Sequence, residues 1–371
     1  MVAVRSGSCL SVTAALALVI AATVAPSARS APSASTTAVY QIFVSNERGG
    51  DVTIIDGDRL EATGTIPVGK RPRGIHATRD GKKVYVALSG TPIEGPPPLD
   101  AQGNPILKKN QKDDEDDDDA KADKSADGIG VIDVAQKKLI AKLSVGSDPE
   151  EFALNGDGTR LYVSNEDTKT ASAINLATGK VINIAQVGGE PEGVGVTPDG
   201  KEFYVTCETG GEVFAFDTTS FKVVGHLTVP VRPRSVDFLP NGSTAFVPSE
   251  TYGKLNVIDM KSHQVLKAID LPSGSRPMRV RVAPDGNKIY VSDGRAGTVT
   301  VLDAQSYAVL ATIKVGKRPW GIVLSPDGKY LFSANGPSND VSVVDLATNQ
   351  EIKRIKAGEG PWGITIVQSS H

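Results

Sequence analysis

Of the four histidines in the 371 residues, only His76 lies on a short apolar stretch that leads out of a proline turn, Pro72-Arg73-Gly74-Ile75-His76. A histidine so placed can act as a general base if an acid orients its ring and a pocket admits a substrate. The second candidate for acid–base work is Asp237, which shares its repeat position with Arg281; a buried ion pair between these two is the structural alternative. A larger set could bind an anion. Arg71, Arg73, Arg232, Arg234, Arg276, Arg279 and Arg318 flank recurring prolines, and Trp320 and Trp362, the only tryptophans, occupy equivalent places. Guanidinium groups hold carboxylate or phosphate by paired hydrogen bonds, and indoles would supply an aromatic wall. The same positions carry Glu150, Glu190 and Glu192 elsewhere in the chain, so the competing role is salt bridging between repeats.

Stronger chemical signatures are absent. The sequence has no Cys-x-x-Cys-His, no histidine–cysteine cluster for copper or zinc, no Gly-x-Ser-x-Gly elbow and no phosphate-binding glycine loop. No cofactor is expected. One metal reading remains: Asp113, Asp114, Glu115, Asp116 and Asp117 begin an acidic run that could take up a cation weakly, calcium first. The run lacks the alternating ligands, central glycine and terminal glutamate of an EF-hand, and its plain role is a solvating tail.

The elements that must position these residues follow from the prolines. Pro72, Pro149, Pro191, Pro233, Pro277, Pro319 and Pro361 are separated by 77, 42, 42, 44, 42 and 42 residues, the first step being one period plus 35 inserted residues. A period of this size denotes a repeat architecture. Each unit reads as four short strands joined by tight turns: Gly321–Ser325, Tyr330–Ala334, Val341–Asp345 and Ile352–Lys356 in the unit after Pro319. Asp-Gly or Asn-Gly at 80, 157, 199, 241, 285 and 327 predicts two-residue hairpins whose residues accept left-handed angles. The third strands end in Asp56, Asp133, Asn175, Asp217, Asp259, Asp303 and Asp345, which are expected to cap the next turn. Seven four-stranded antiparallel units are the content of an all-β, seven-bladed β-propeller. The chain starts at a second strand and ends after a first one, so the C-terminal strand is expected to close the ring against three N-terminal strands. The fourth residue after each proline (His76, Ala153, Gly195, Asp237, Arg281, Val323, Thr365) should approach the central axis. The Gly-x-x-Pro face, with an acidic belt of Glu47, Glu166, Glu208, Glu250 and Asp293, is the face on which a ligand is expected.

Phe43-Val44-Ser45-Asn46 and Tyr162-Val163-Ser164-Asn165 carry the Tyr-Val-x-Asn pattern, with variants at 204–207, 290–293 and 332–335. In these residues the chain resembles the YVTN-repeat, YncE-like propeller family over about residues 39–368. Lactonase-like enzymes and the propellers of haem d1 nitrite reductases and nitrous oxide reductase look similar in architecture. The resemblance implies the fold and leaves the chemistry open.

Residues 1–30 combine Arg5, an apolar run from Leu10 to Val24 and small residues near Ala31, which reads as a secretory signal peptide followed by a linker at 31–38. Its removal takes the formal charge from −3 to −5, which argues against nucleic-acid binding. Cys207 is then the sole cysteine, so no internal disulfide is expected. The insertion, at about 90–128, is expected to be disordered. The reading that results is a periplasmic or secreted, non-catalytic propeller that binds a protein partner or an anionic small molecule, without a transmembrane segment in the mature chain. The alternatives are a lactonase-like hydrolase or an accessory of periplasmic cofactor or electron-transfer metabolism. Whether the protein is an enzyme is left open by the residues alone.

Overall fold

The computed structural model describes residues 40–93 and 122–368. These form seven four-stranded antiparallel sheets, each with its strands in consecutive order except the first. That sheet is ordered Pro361–Gln368, Tyr40–Asn46, Asp51–Asp56, Glu61–Pro67, so three N-terminal strands and the C-terminal strand complete one blade. We number it blade 1 and count onward, blade 2 beginning at Ile75 and blade 7 at Pro319. The only helical turn among the described residues, Lys124–Ala126, lies at the base of the insertion.

Packing explains the apolar second and third strands. Each blade is sandwiched between two neighbours, so these strands are buried on both faces, while outer strands such as Lys138–Leu143 are largely exposed. The core consists of layers between blades. Phe43, Val52 and Ile54 of blade 1 pack on Ile75, Val84 and Val86 of blade 2. Between blades 3 and 4, Tyr162 stacks on Phe203 at 4.2 Å, and Phe203 on Phe216 at 4.8 Å. Burial of such rings contributes more than their area alone, about 0.5–1.5 kcal/mol per pair.

The Tyr-Val-Ser-Asn strands have a physical role at each polar position. The serine hydroxyl ties its own inner strand to the next: Ser164 donates to Glu192 O at 2.7 Å and Ser292 to Trp320 O at 2.7 Å. The asparagine amide donates to hydroxyls of the third strand, Asn46 to Thr53 at 2.8 Å and Asn335 to Ser342 at 2.9 Å. Asp293 occupies this asparagine position in blade 6, so it is not part of the acidic belt. It accepts from Thr298 and Thr300 instead, and its Oδ1 is buried without a partner. Burial raises its carboxyl to about 6 against the pull of those two hydroxyls. A raised carboxyl costs folding free energy above that value and nothing below the unfolded value near 4. Asp293→Asn is therefore expected to stabilise the protein by about 1–2 kcal/mol at pH 7.5, with the gain vanishing at pH 4. Thermal melts at both values check it; a gain independent of pH would contradict the account.

All seven third-strand terminal residues cap the following turn as expected, for example Asp56 accepting from Arg59 N at 2.8 Å and Asp345 from Thr348 N at 2.8 Å. The Asp-Gly hairpins differ from expectation. Only the glycine is left-handed, from Gly81 at φ 68° to Gly328 at 69°. The acid keeps ordinary angles, and its carboxylate accepts the N–H two residues on, as Asp80 does from Lys82 and Asp327 from Lys329, each at 3.1 Å. The loop is thus longer than two residues, and the acid is selected for its side chain rather than for its backbone.

Both ends of the 90–128 insertion are tied to the propeller. Gly90 N and Ser147 Oγ both donate to Asp127, and Asp123 caps the helical turn and pairs with Lys70 at 2.8 Å. Asp113–Asp117, and residues 1–38 with their expected signal peptide and linker, lie outside the described residues. No helix among those described is long and apolar enough to cross a membrane.

Candidate active site

The seven inner strands surround a cavity of about 650 Å³ on the axis. Six of the seven residues four places after the prolines line it: His76, Ala153, Gly195, Asp237, Arg281 and Thr365, with Leu324 in place of Val323. Thr78, Arg79, Pro284, Ser325 and Pro326, from the Asp-Gly hairpins, form its mouth. The cavity thus opens on the face opposite the Gly-x-x-Pro turns, contrary to the expected ligand face. At the Gly-x-x-Pro end, Trp320, Trp362, Met278, Arg234 and Arg279 fill the axis and leave a recess of only about 10 Å³.

Strand alternation sends the second and fourth residues after each proline to the same side. The second position is glycine or serine in five blades (Gly74, Gly193, Ser235, Gly321, Gly363) but Glu151 in blade 3 and Arg279 in blade 6. These two meet in a direct ion pair across the ring. The other carboxylate oxygen of Glu151 bonds His76 Nε2 at 2.8 Å. The imidazole is held further by Phe152, edge to face at 5.0 Å, and its Nδ1 has no partner among the described residues. Burial pushes the Glu151 carboxyl up, but Arg279 and His76 more than offset this and hold it well below the ordinary carboxylate range. With Glu151 ionised, the proton of a neutral imidazole sits on Nε2 and the basic lone pair on Nδ1. Residue reading singled out His76 and Arg279 but missed that Glu151 joins them; two charges at an otherwise glycine-and-serine position were the available signal.

Asp237 and Arg281 both face the cavity but form no ion pair. The Asp237 carboxylate accepts from the backbone N–H groups of Phe238 at 2.9 Å and Val282 at 2.8 Å. Burial raises its carboxyl, opposed by Arg281. Arg281 donates from Nε to Ile322 O at 3.3 Å and has no carboxylate partner among the described residues. Arg79 at the mouth is exposed. The cavity therefore carries three arginines against Glu151 and a carboxyl with a raised pKa, a balance that favours an anionic guest.

The other predicted site residues do not form an open arginine cluster. Arg73 is 1% exposed and pairs with Asp148, Glu150 and Glu166. Arg71 bonds Glu47 at 3.1 Å and Asp148 at 3.5 Å. Arg234 pairs with Glu192, Glu208 and Glu250, while Arg232 bonds Glu208 at 2.8 Å and Glu250 at 3.2 Å. Arg276 is buried and donates to Thr251 O at 2.9 Å. Glu190 makes no ion pair among the described residues. Desolvation explains the outcome: guanidinium groups enclosed between blades must be matched by carboxylates brought in from the neighbouring blades. Asp148, Glu150 and Glu166 approach one another closely enough for a metal, but Arg73 already bonds all three. Trp320 and Trp362 stack at 5.2 Å. Cys207 is buried, which pushes its thiol up to about 12 and leaves it inert at neutral pH.

Fold and site together define a seven-bladed β-propeller with a polar axial cavity that is closed at one end. The family model described as Lactonase, 7-bladed beta-propeller matches residues 194–359, and one described as Choice-of-anchor I domain matches residues 23–189. Among solved structures the chain is similar to Kuenenia stuttgartiensis hydrazine synthase (21% identity, TM-score 0.68, covering 83% of this chain and 92% of that one). It is also similar to a putative 6-phosphogluconolactonase from Bacteroides fragilis (16%, 0.67, covering 91% and 100%). A third is the periplasmic gluconolactonase of Pseudomonas aeruginosa (17%, 0.66, covering 90% and 100%). These likenesses establish the fold. No curated protein matches the chain in sequence.

Proposed function

We propose that the protein is a hydrolase that opens a lactone bearing a negative charge, with its active site in the axial cavity. The observation that carries this reading is the His76–Glu151–Arg279 chain, which provides a base, the acid that orients it and a cation in one cavity. His76 Nδ1 takes a proton from water as the water oxygen bonds to the lactone carbonyl carbon. Arg279 stabilises the resulting oxyanion. The ring C–O bond then breaks, and the leaving alkoxide takes the proton back from His76, giving a hydroxy acid. Arg281 and Arg79 hold the anionic substituent. The match to a lactonase model and the likeness to two lactonase structures support this reaction class. The volume suits a monosaccharide-sized guest.

This reading takes precedence over a purely binding scaffold, whose main support was an open arginine cluster on the Gly-x-x-Pro face. It keeps the anionic small molecule as the ligand. The Tyr-Val-x-Asn strands support placing the chain among YVTN-repeat propellers, and residues 1–30 support export before action.

Arg281→Gln should raise KM for a carboxylated or phosphorylated sugar lactone by tenfold or more, the loss of about 1.4 kcal/mol of binding, with little change for the neutral lactone. Initial-rate kinetics on the pair check this. Equal effects on both substrates would remove Arg281 from anion recognition.

A further inference from the structure

The Gly-x-x-Pro face has a feature the cavity does not use. The residue after each second strand is Glu47, Ser89, Glu166, Glu208 or Glu250 in blades 1 to 5, but Gly294 and Gly336 in blades 6 and 7. These positions are structurally equivalent. The N–H groups of Glu166, Glu208, Glu250, Gly294 and Gly336 each donate to the carbonyl of the residue before their own blade's proline. Where that preceding residue is Arg71 or Arg232, the belt glutamates neutralise it, Glu47 pairing with the first and Glu208 and Glu250 with the second.

Arg318 has glycine at both flanking belt positions. It makes no ion pair among the described residues; Glu250 and Glu47 act on it only from beyond ion-pair reach. Its guanidinium lies over the half-buried Trp320 ring, 5.1 Å from the centroid. Beside them the repeat's own carboxylate position is vacant. A Cβ built on Gly336 would meet Pro361 O at 3.6 Å and Trp320 Cδ1 at 3.7 Å, ordinary contact distances.

We propose that Arg318 and Trp320 form a docking point for an acidic side chain of a partner protein, whose carboxylate takes the place that glutamate fills in other blades. A guanidinium stacked on an indole keeps its N–H edge free for a carboxylate in its plane. The recess between Trp320 and Trp362, about 10 Å³, is far too small to enclose a free ligand. A carboxylate carried on a protruding chain needs no cavity.

The tryptophans give the test its readout, because the chain has no others and Trp320 lies under Arg318. Titrating the protein with a hexaglutamate peptide should change tryptophan emission saturably. Half-saturation should weaken at least tenfold in Arg318→Gln and in Gly336→Glu, which restores the repeat's own acid at a position that tolerates a side chain. Arg281→Gln, which removes a cavity arginine that holds anions, should bind the peptide as the wild type does, which separates this docking point from the cavity. No emission response, or wild-type binding by both Arg318→Gln and Gly336→Glu, would overturn the proposal. So would free glutamate or inorganic phosphate binding as tightly as the peptide, since the site would then serve a small anion.

Discussion

Glu151→Gln is expected to reduce lactone turnover by about 10³–10⁴-fold, close to the loss from removing His76 itself. Glutamine has the shape of glutamate but presents one acceptor and one donor. Arg279, a charged donor, holds the acceptor against the weaker claim of the Phe152 N–H, so the amide N–H₂ is turned toward His76 Nε2. Nε2 must then accept, the imidazole proton moves to Nδ1, and the nitrogen that should take a proton from water already holds one. Glu151 is thus a positioning residue, and ¹⁵N shifts of the His76 ring should report the tautomer change directly. His76→Gln combined with Glu151→Gln should cost little more than either alone, because the pair acts as one unit. Circular dichroism should show the sheet intact. Retention of more than a tenth of wild-type turnover by Glu151→Gln would remove the relay from the mechanism.

Arg73→Met is expected to be the most damaging single change to stability, by about 3–5 kcal/mol, or roughly 5–10 °C in melting temperature. Arg73 is the shared counter-charge of Asp148, Glu150 and Glu166 at the junction of blades 2 and 3. Methionine fills much of its volume, so the loss would come from Glu150 and Glu166 left without their cation and from Asp148 left with Arg71 alone. Burial pushes the Asp148 carboxyl up, but Arg73 and Arg71 more than offset this and hold it below its ordinary value. A depressed carboxylate contributes stability above its unfolded pKa and loses it as pH falls through the folded one. In Arg73→Met that depression is weakened, so the gap between mutant and wild type should narrow from pH 7 to pH 4. A gap unchanged by acid would mean that Arg73 acts through packing alone.

The parts of this molecule legible in its sequence are those encoded within one repeat. The proline spacing, the third-strand caps and the lone first strand at the C terminus predicted seven blades and their closure, because turn chemistry and strand alternation are local. The same alternation placed His76, Asp237 and Arg281 on the axis. What was not legible is how blades meet. Glu151 and Arg279 are 128 residues apart and pair across the ring, which no local periodicity expresses. The arginines after the prolines resembled an exposed cluster because their carboxylate partners come from neighbouring blades. Asp293 stood in the asparagine place of a Tyr-Val-x-Asn variant yet was also counted in the acidic belt, and its strand register settles it as the buried one. Arg318 is the inverse case: the two glycines beside it follow Tyr-Val-x-Asn variants in sequence, but that they leave it without an ion pair shows only where blades meet.

The central claim is that the axial cavity opens an anionic lactone. It is tested most directly by following acid release in a pH-stat with the wild-type protein, given a phosphorylated or carboxylated sugar lactone and its neutral counterpart. Hydrolysis well above the spontaneous rate, a preference for the charged substrate, and loss of both in His76→Gln are expected. Rates no faster than spontaneous opening for either lactone, or full turnover by His76→Gln, would contradict it.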